Sequence, residues 1–139
     1  AQATGGGSFD EGAWRTRVLN EETADPKEIC DLEANQFVLA AGTYRALISC
    51  PAYEVNRHQA RLYNVTADAV LLLGANAHAA TGSGVTTHSF VAGRFTVAAG
   101  QTLEVQHRCR STRATYGFGY FCNWTDEIYT VVELWRETV

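Results

Sequence analysis

Four side chains in this 139-residue sequence have the reach to recognise a polar ligand: Tyr53, Arg57, Asn123 and Trp124. An exposed tyrosine or tryptophan stacks on the apolar face of a sugar ring, while asparagine and arginine bond its hydroxyls. These four are the candidate ligand-binding residues; the plainer alternative is that Tyr53 and Trp124 plug the end of a sandwich. Acidic side chains gather in residues 20–31, at Glu21, Glu22, Asp25, Glu28 and Asp31, and again at Asp126 and Glu127. Calcium takes roughly six to eight oxygens, which loops supply flexibly. Glu28, Asp31 and Asp126 are therefore the candidate calcium ligands, and no other cofactor is expected. No Asp-x-Asp-x-Asp-Gly run accompanies them, so a solvated acidic loop is the favoured account.

Catalytic patterns are missing from the chain. A nucleophile elbow needs Gly-x-Ser-x-Gly, and Gly82-Ser83-Gly84 is only a flexible loop. Glycoside hydrolysis needs two carboxyl groups about 5 to 10 Å apart across a sugar. The adjacent pairs Glu21–Glu22 and Asp126–Glu127 would point to opposite faces of a strand. His58, His78, His88 and His107 show no short ligand spacing. His107 falls on the apolar side of its strand and reads as a hydrogen-bonded core or interface histidine. Cys30, Cys50, Cys109 and Cys122 form no Cys-x-x-Cys pair, which argues against structural zinc. Disulfides and buried free thiols both remain open, with three full pairings available. The expectation is a binding or building module, not an enzyme.

Charge and hydropathy exclude two partners. The net charge is −4, with Lys27 the only lysine, and that balance offers no electrostatic footprint for a nucleic-acid backbone. Arg108, Arg110 and Arg113 come nearest to a basic patch. No apolar run approaches the roughly 20 residues of a membrane span, so no membrane insertion is expected.

The elements that must carry these residues are strands. Trp14, Thr16 and Val18 alternate with Arg15 and Arg17, which predicts a strand with both arginines on the wet face. Tyr44, Ala46, Ile48 and Cys50 share one side of residues 43–50; Leu103, Val105, His107 and Cys109 oppose Glu104, Gln106 and Arg108. Residues 128–135 are apolar both ways, with Val132 and Leu134 on one face and Tyr129, Val131 and Trp135 on the other. Such a strand needs cover from the core and from a neighbouring subunit. Tyr116, Phe118, Tyr120 and Phe121 form an aromatic ladder suited to a strand in the core or at a subunit axis. Phe37-Val38-Leu39-Ala40-Ala41-Gly42 is echoed by Phe95-Thr96-Val97-Ala98-Ala99-Gly100, each a strand, a glycine turn and a further strand. Residues 20–31 read as a long acidic loop. Turn signals also fall near Pro51, Gly74 and Gly117, and closely spaced short strands predict an all-β sandwich or barrel. Residues 1–8, with Gly5-Gly6-Gly7-Ser8, read as a flexible segment before a single domain at 9–139.

Several motifs in order carry a resemblance. Gly12-Ala13-Trp14-Arg15-Thr16-Arg17-Val18-Leu19-Asn20, His58-Gln59-Ala60-Arg61-Leu62-Tyr63-Asn64-Val65-Thr66, Gly93-Arg94-Phe95-Thr96, Gln106-His107-Arg108-Cys109 and Tyr129-Thr130-Val131-Val132-Glu133-Leu134-Trp135 resemble a domain of bacteriophage tail-fibre and prophage proteins. That domain is similar to the globular heads of complement and tumour-necrosis-factor-like proteins. The resemblance implies an antiparallel two-sheet jelly roll of about ten strands, assembled as a homotrimer on a virion surface or outside the cell. It implies recognition of a bacterial surface glycan or receptor, with other virion fibre proteins as neighbours; the alternative is a purely structural trimerisation or decoration module. Tyr120, Tyr129, Val131 and Trp135 become the candidate trimer interface. The implied tip carries residues 20–31, 51–57, 98–101 and 122–127, and the stalk side carries 74–85 and 110–116. Cys30, Cys50 and Cys122 depart from the pattern and suggest an added staple, whereas Cys109 fits it.

Overall fold

Strong period-two hydropathy becomes strand in the computed structural model, which describes residues 1–138. Val139, the last residue of the expected 9–139 domain, lies outside them. The strands are β1 (Arg15–Thr16), β2 (Cys30–Glu33), β3 (Gln36–Leu39), β4 (Gly42–Tyr53), β5 (Asn56–Asn64), β6 (Ala69–Leu73), β7 (Ala77–Ala79), β8 (Thr86–Val97), β9 (Thr102–Cys109) and β10 (Val131–Arg136). The described residues include no helix, and hence none long and apolar enough to cross a membrane.

Two antiparallel sheets make a β-sandwich. The larger runs β2-β3-β9-β5-β6, with β1 also on β9 and β7 on β5; the smaller runs β10-β4-β8. Their facing sides close one apolar core. The large sheet contributes Phe37, Leu39, Ala60, Leu62, Leu103 and Val105, and the small sheet Tyr44, Ala46, Ile48, Cys50, Val91, Phe95 and Val97. Burying a side chain of this size contributes about 1.5 to 3 kcal/mol, so hydrocarbon contact supplies most of the drive to fold. The period-two faces of residues 43–50 and 103–109 point inward as expected, because each sheet has one dry side.

The repeated Ala-Ala-Gly segments are both corners where the chain changes sheet. Residues 40–41 carry it from β3 to β4, and 98–101 from β8 to β9. Both corners lie at the same end, since Gly42 pairs with Val97 and Asn64 with Leu103. Residues 54–55, 80–85 and 110–130 lie at the other end, where Tyr53 pairs with Thr86 and His58 with Cys109.

Four expectations change. Arg17 is 1% exposed and Val18 about half exposed, so the phase of residues 14–18 is inverted. Trp14 instead packs over the Arg61 guanidinium on the outer face of the large sheet, 3.9 Å from ring centre to carbon. The glycine run is held in the fold: Gly6 N donates to Gly119 O at 3.0 Å, and Gly7 N to Thr115 O at 2.9 Å. A Cβ at Gly5 would meet Thr115 O at 2.6 Å and one at Gly6 would meet the Phe118 carbonyl carbon at 2.8 Å, so glycine serves close approach here. The aromatic run at 116–121 is not a strand. Tyr116, Tyr120 and Phe121 pack on one another in an irregular segment, while Phe118 is buried against Phe9 in the core. Finally, all four cysteines are free; Cys50 and Cys109 are buried, Cys30 half-buried and Cys122 exposed, so no staple joins them.

Candidate functional site

Residues 122–128 form a loop closed by one carboxylate. Glu127 Oε1 accepts from Cys122 N at 2.8 Å, and its Oε2 accepts from Asn123 N at 3.1 Å and Ala3 N at 2.9 Å. These amides, Cys122 first, hold the Glu127 carboxyl below its usual range. Gln2 Nε2 also donates to Asn123 O at 3.2 Å, and Asn123 takes the left-handed conformation at φ 64°. Asparagine tolerates that region better than most side chains. With its ends drawn together, the loop holds Trp124 86% exposed and Ile128 74% exposed. An indole so free of its own protein can stack on a flat apolar surface in a ligand.

Tyr53 makes no ring contact with that indole. Its ring packs at 4.9 Å against Tyr120, which also meets Tyr116 at 4.6 Å and Phe121 at 5.0 Å. The Arg113 guanidinium covers Tyr53 at 5.2 Å. A hydrogen bond to Glu54 raises the Tyr53 phenol above its usual range, with burial adding to it. Arg57 is exposed on β5 opposite His78. The four candidate ligand residues thus divide into Asn123 and Trp124 on the loop, Tyr53 in the aromatic cluster, and Arg57 on the sheet. Among the described residues no hydrogen bond or ring contact joins Tyr53 or Arg57 to Trp124.

The candidate calcium ligands are also not drawn together. Glu28, Asp31 and Asp126 are all exposed, and among the described residues no group of three acidic, histidine or cysteine side chains is placed to hold a metal ion. Asp25 shapes the backbone of the acidic loop. Its carboxylate accepts from Ile29 N at 3.0 Å and Cys30 N at 2.9 Å, which holds its pKa down.

Of the candidate interface residues, Val131 and Trp135 lie on the outer face of the small sheet. Leu47 and Phe90 extend that face, since Val131 pairs with Ser49 and Ser49 with Phe90. Leu47, Phe90, Val131 and Trp135 are each between 39% and 52% exposed. The outward phase of Leu47 was readable from its inward neighbours Ala46 and Ile48, whereas Phe90 beside Val91 gave no phase. Tyr120 belongs to the aromatic cluster instead, and the half-buried Tyr129 donates its hydroxyl to Thr4 O. The end assignments also change: residues 98–101 lie opposite 51–57, while 110–116 share an end with 51–57.

A buried polar chain beneath the loop was not anticipated. Arg17 Nε donates to Thr130 Oγ1 at 2.7 Å, NH1 to Pro51 O at 2.9 Å, and NH2 to Phe118 O at 3.0 Å. Its NH1 also lies 3.4 Å from His107 Nδ1, and its guanidinium sits 4.2 Å over the Phe118 ring. Arginine has only donors, so His107 Nδ1 accepts and its Nε2–H donates onward to His58 Nδ1 at 2.8 Å. His58 Nε2–H then donates to Thr87 Oγ1 at 2.8 Å. Burial lowers Arg17 to about 10, which leaves it charged at neutral pH. Burial, with the nearby arginine, lowers His58 to about 4 and His107 well below its usual value. Both imidazoles are therefore neutral, and the chain anchors Phe118 and Thr130 at the base of the loop. The only sequence signal was His107 on an apolar strand face. No protein family and no curated protein matches the chain.

Proposed function

We propose that this sandwich is the jelly-roll head of a homotrimeric virion-surface appendage that recognises a bacterial surface glycan or receptor. The uncovered apolar face formed by Leu47, Phe90, Val131 and Trp135 carries the reading. These large exposed apolar side chains, interspersed with Arg45, Ser49, Arg94 and Glu133 on the same face, favour cover by another protein surface. The jelly-roll topology is supported by the repeated changes of sheet at β3–β4, β4–β5, β7–β8, β8–β9 and β9–β10. Self-association through the small sheet leaves the loop with Trp124 free, and three copies would raise avidity without any new contact. A structural module with no ligand has no need to hold a tryptophan so far into water. The exposed indole therefore favours recognition over the structural alternative.

Sedimentation at micromolar concentration tests the assembly. A species of about three times 15.2 kDa is expected, falling to the monomer mass when Leu47→Lys and Phe90→Lys are combined. Glycan arrays and host-cell binding test recognition: the wild-type trimer should bind, and Trp124→Ala should lose binding while keeping the trimer mass. A folded wild-type monomer would overturn the assembly, and undiminished binding by Trp124→Ala would overturn the site.

A further inference from the structure

Between β10 and the long acidic loop lies an open cleft of about 1450 Å³, larger than the roughly 300 to 1,000 Å³ of drug-sized pockets. Leu19, Ile29, Leu32, Phe37, Val132 and Leu134 give it an apolar floor. One wall is a sheet edge. β10 pairs with β4 alone among the described residues, so its far side presents a row of unpaired backbone N–H and C=O groups from Val131 to Arg136. Most proteins cover or charge such an edge, because it is a template for another strand.

The rim limits what can enter. Glu21, Glu22, Asp25, Asp126, Glu127 and Glu137 line the cleft, against Arg17, Lys27 and Arg136. Lys27 and Arg136 are exposed cations, while Glu137 is paired with Arg94 and Glu127 with backbone amides, so Glu21, Glu22 and Asp126 are the acids left to meet a cation, and the lining still carries more acids than cations. Hydrogen bonding to Asp25 raises the Glu22 carboxyl, as expected where acids crowd without cations.

We infer that the free edge of β10 binds an extended basic segment of a partner protein, which adds to the small sheet as a further strand. Backbone pairing with Val131–Arg136 supplies the register, alternate apolar side chains enter the cleft, and lysine or arginine between them meets the acidic rim. The six residues of β10 span about 20 Å, enough for a segment of similar length. A second copy of this chain is the poorer occupant, because its net charge of −4 repeats the sign of the rim. The edge adjoins the outer face of the small sheet proposed for self-association and shares Val131 and Trp135 with it.

The full protein should be titrated with acetyl-Lys-Val-Lys-Val-Lys-Val-Lys-amide while amide exchange is followed residue by residue. Saturable binding with newly slowed exchange in Val131–Arg136 is expected, weakened about tenfold or more by high salt. Replacing the central valine of the peptide by proline should weaken binding by about tenfold or more, because proline cannot donate to the ladder. Combining the exposed substitutions Glu21→Lys and Glu22→Lys should weaken the lysine peptide and improve a peptide with glutamate in place of lysine. Equal binding of the proline peptide, unchanged exchange of the outward Val132, Leu134 and Arg136 amides at saturation, or protection of those three without peptide would overturn the inference.

Discussion

Around Leu39, Phe95, Val97 and Leu103, near the two Ala-Ala-Gly corners, the interior of the sandwich is hydrocarbon. Toward the other end it narrows to Phe9, Ala52, Val55, Ala79, Cys109 and Phe118, and beside them lie Arg17, His107 and His58. The first region is governed mainly by volume and dryness, its polar atoms being Asn64, bonded to Gln101 and Ala67, and the Tyr44 hydroxyl, bonded to Ala40 O. The second needs specific partners, because a buried cation with no carboxylate beside it must find every acceptor in carbonyls, a hydroxyl and a ring. The polar end is also the end that carries Trp124. Packing alone specifies the sheets, whereas directed hydrogen bonds specify how the irregular chain between β9 and β10 is seated on them.

The largest effect should come from Arg17→Met, which leaves the Pro51 and Phe118 carbonyls, Thr130 and His107 short of a partner. A loss of about 3 to 5 kcal/mol in urea unfolding is expected. Arg17→Lys should recover little of it, since one ammonium cannot span the same fork of acceptors. A near-neutral Arg17→Met would erase the distinction between the two ends.

Acid should act next, and above about pH 4 chiefly through the buried histidines of the polar end. His58 has a folded pKa of about 4 against about 6.5 for a free histidine. Between those values the unfolded chain binds the extra proton, so stability is full above about pH 6.5 and declines as pH falls towards 4. The decline is on the order of 3 kcal/mol, from the difference in pKa. Urea unfolding from pH 7 to pH 4 should show it, and His58→Gln should reduce that slope, leaving the part that His107 contributes.

Ile48→Val, in the hydrocarbon region, should cost about 0.5 to 1.5 kcal/mol with no change in pH profile. Trp124→Ala should move stability by no more than about 0.5 kcal/mol in either direction, because so exposed a ring contributes little packing. A larger thermal shift would show that Trp124 props the loop.

This contrast explains what the sequence disclosed. The strands at 43–50 and 103–109 were legible because a half-wet sheet writes its inner face at every second residue. The apolar residues on both sides of Val131–Trp135 were legible for the same reason, and in the single chain the side with Val131, Glu133 and Trp135 is uncovered. Residues 14–18 misled because hydropathy assigns arginine to water, and nothing local announces that acceptors from residues 51, 107, 118 and 130 will gather around Arg17. That Tyr53 packs in an aromatic cluster and makes no contact with Trp124 was hidden for a related reason. A glycine-rich aromatic stretch looks like a strand by alternation, yet ring packing and close backbone approach decide its path. Of the candidate site, the indole stood out by residue type alone; the carboxylate that presents it did not, because its partners are backbone amides that no side-chain pattern reveals.

That carboxylate gives residues 122–128 the character of a clip. Glu127 gathers the amides at its opening, so what lies between can vary while the closure stays in place. What the loop presents could then change by exchanging the contents of one short bracket, with the sheets inherited unchanged.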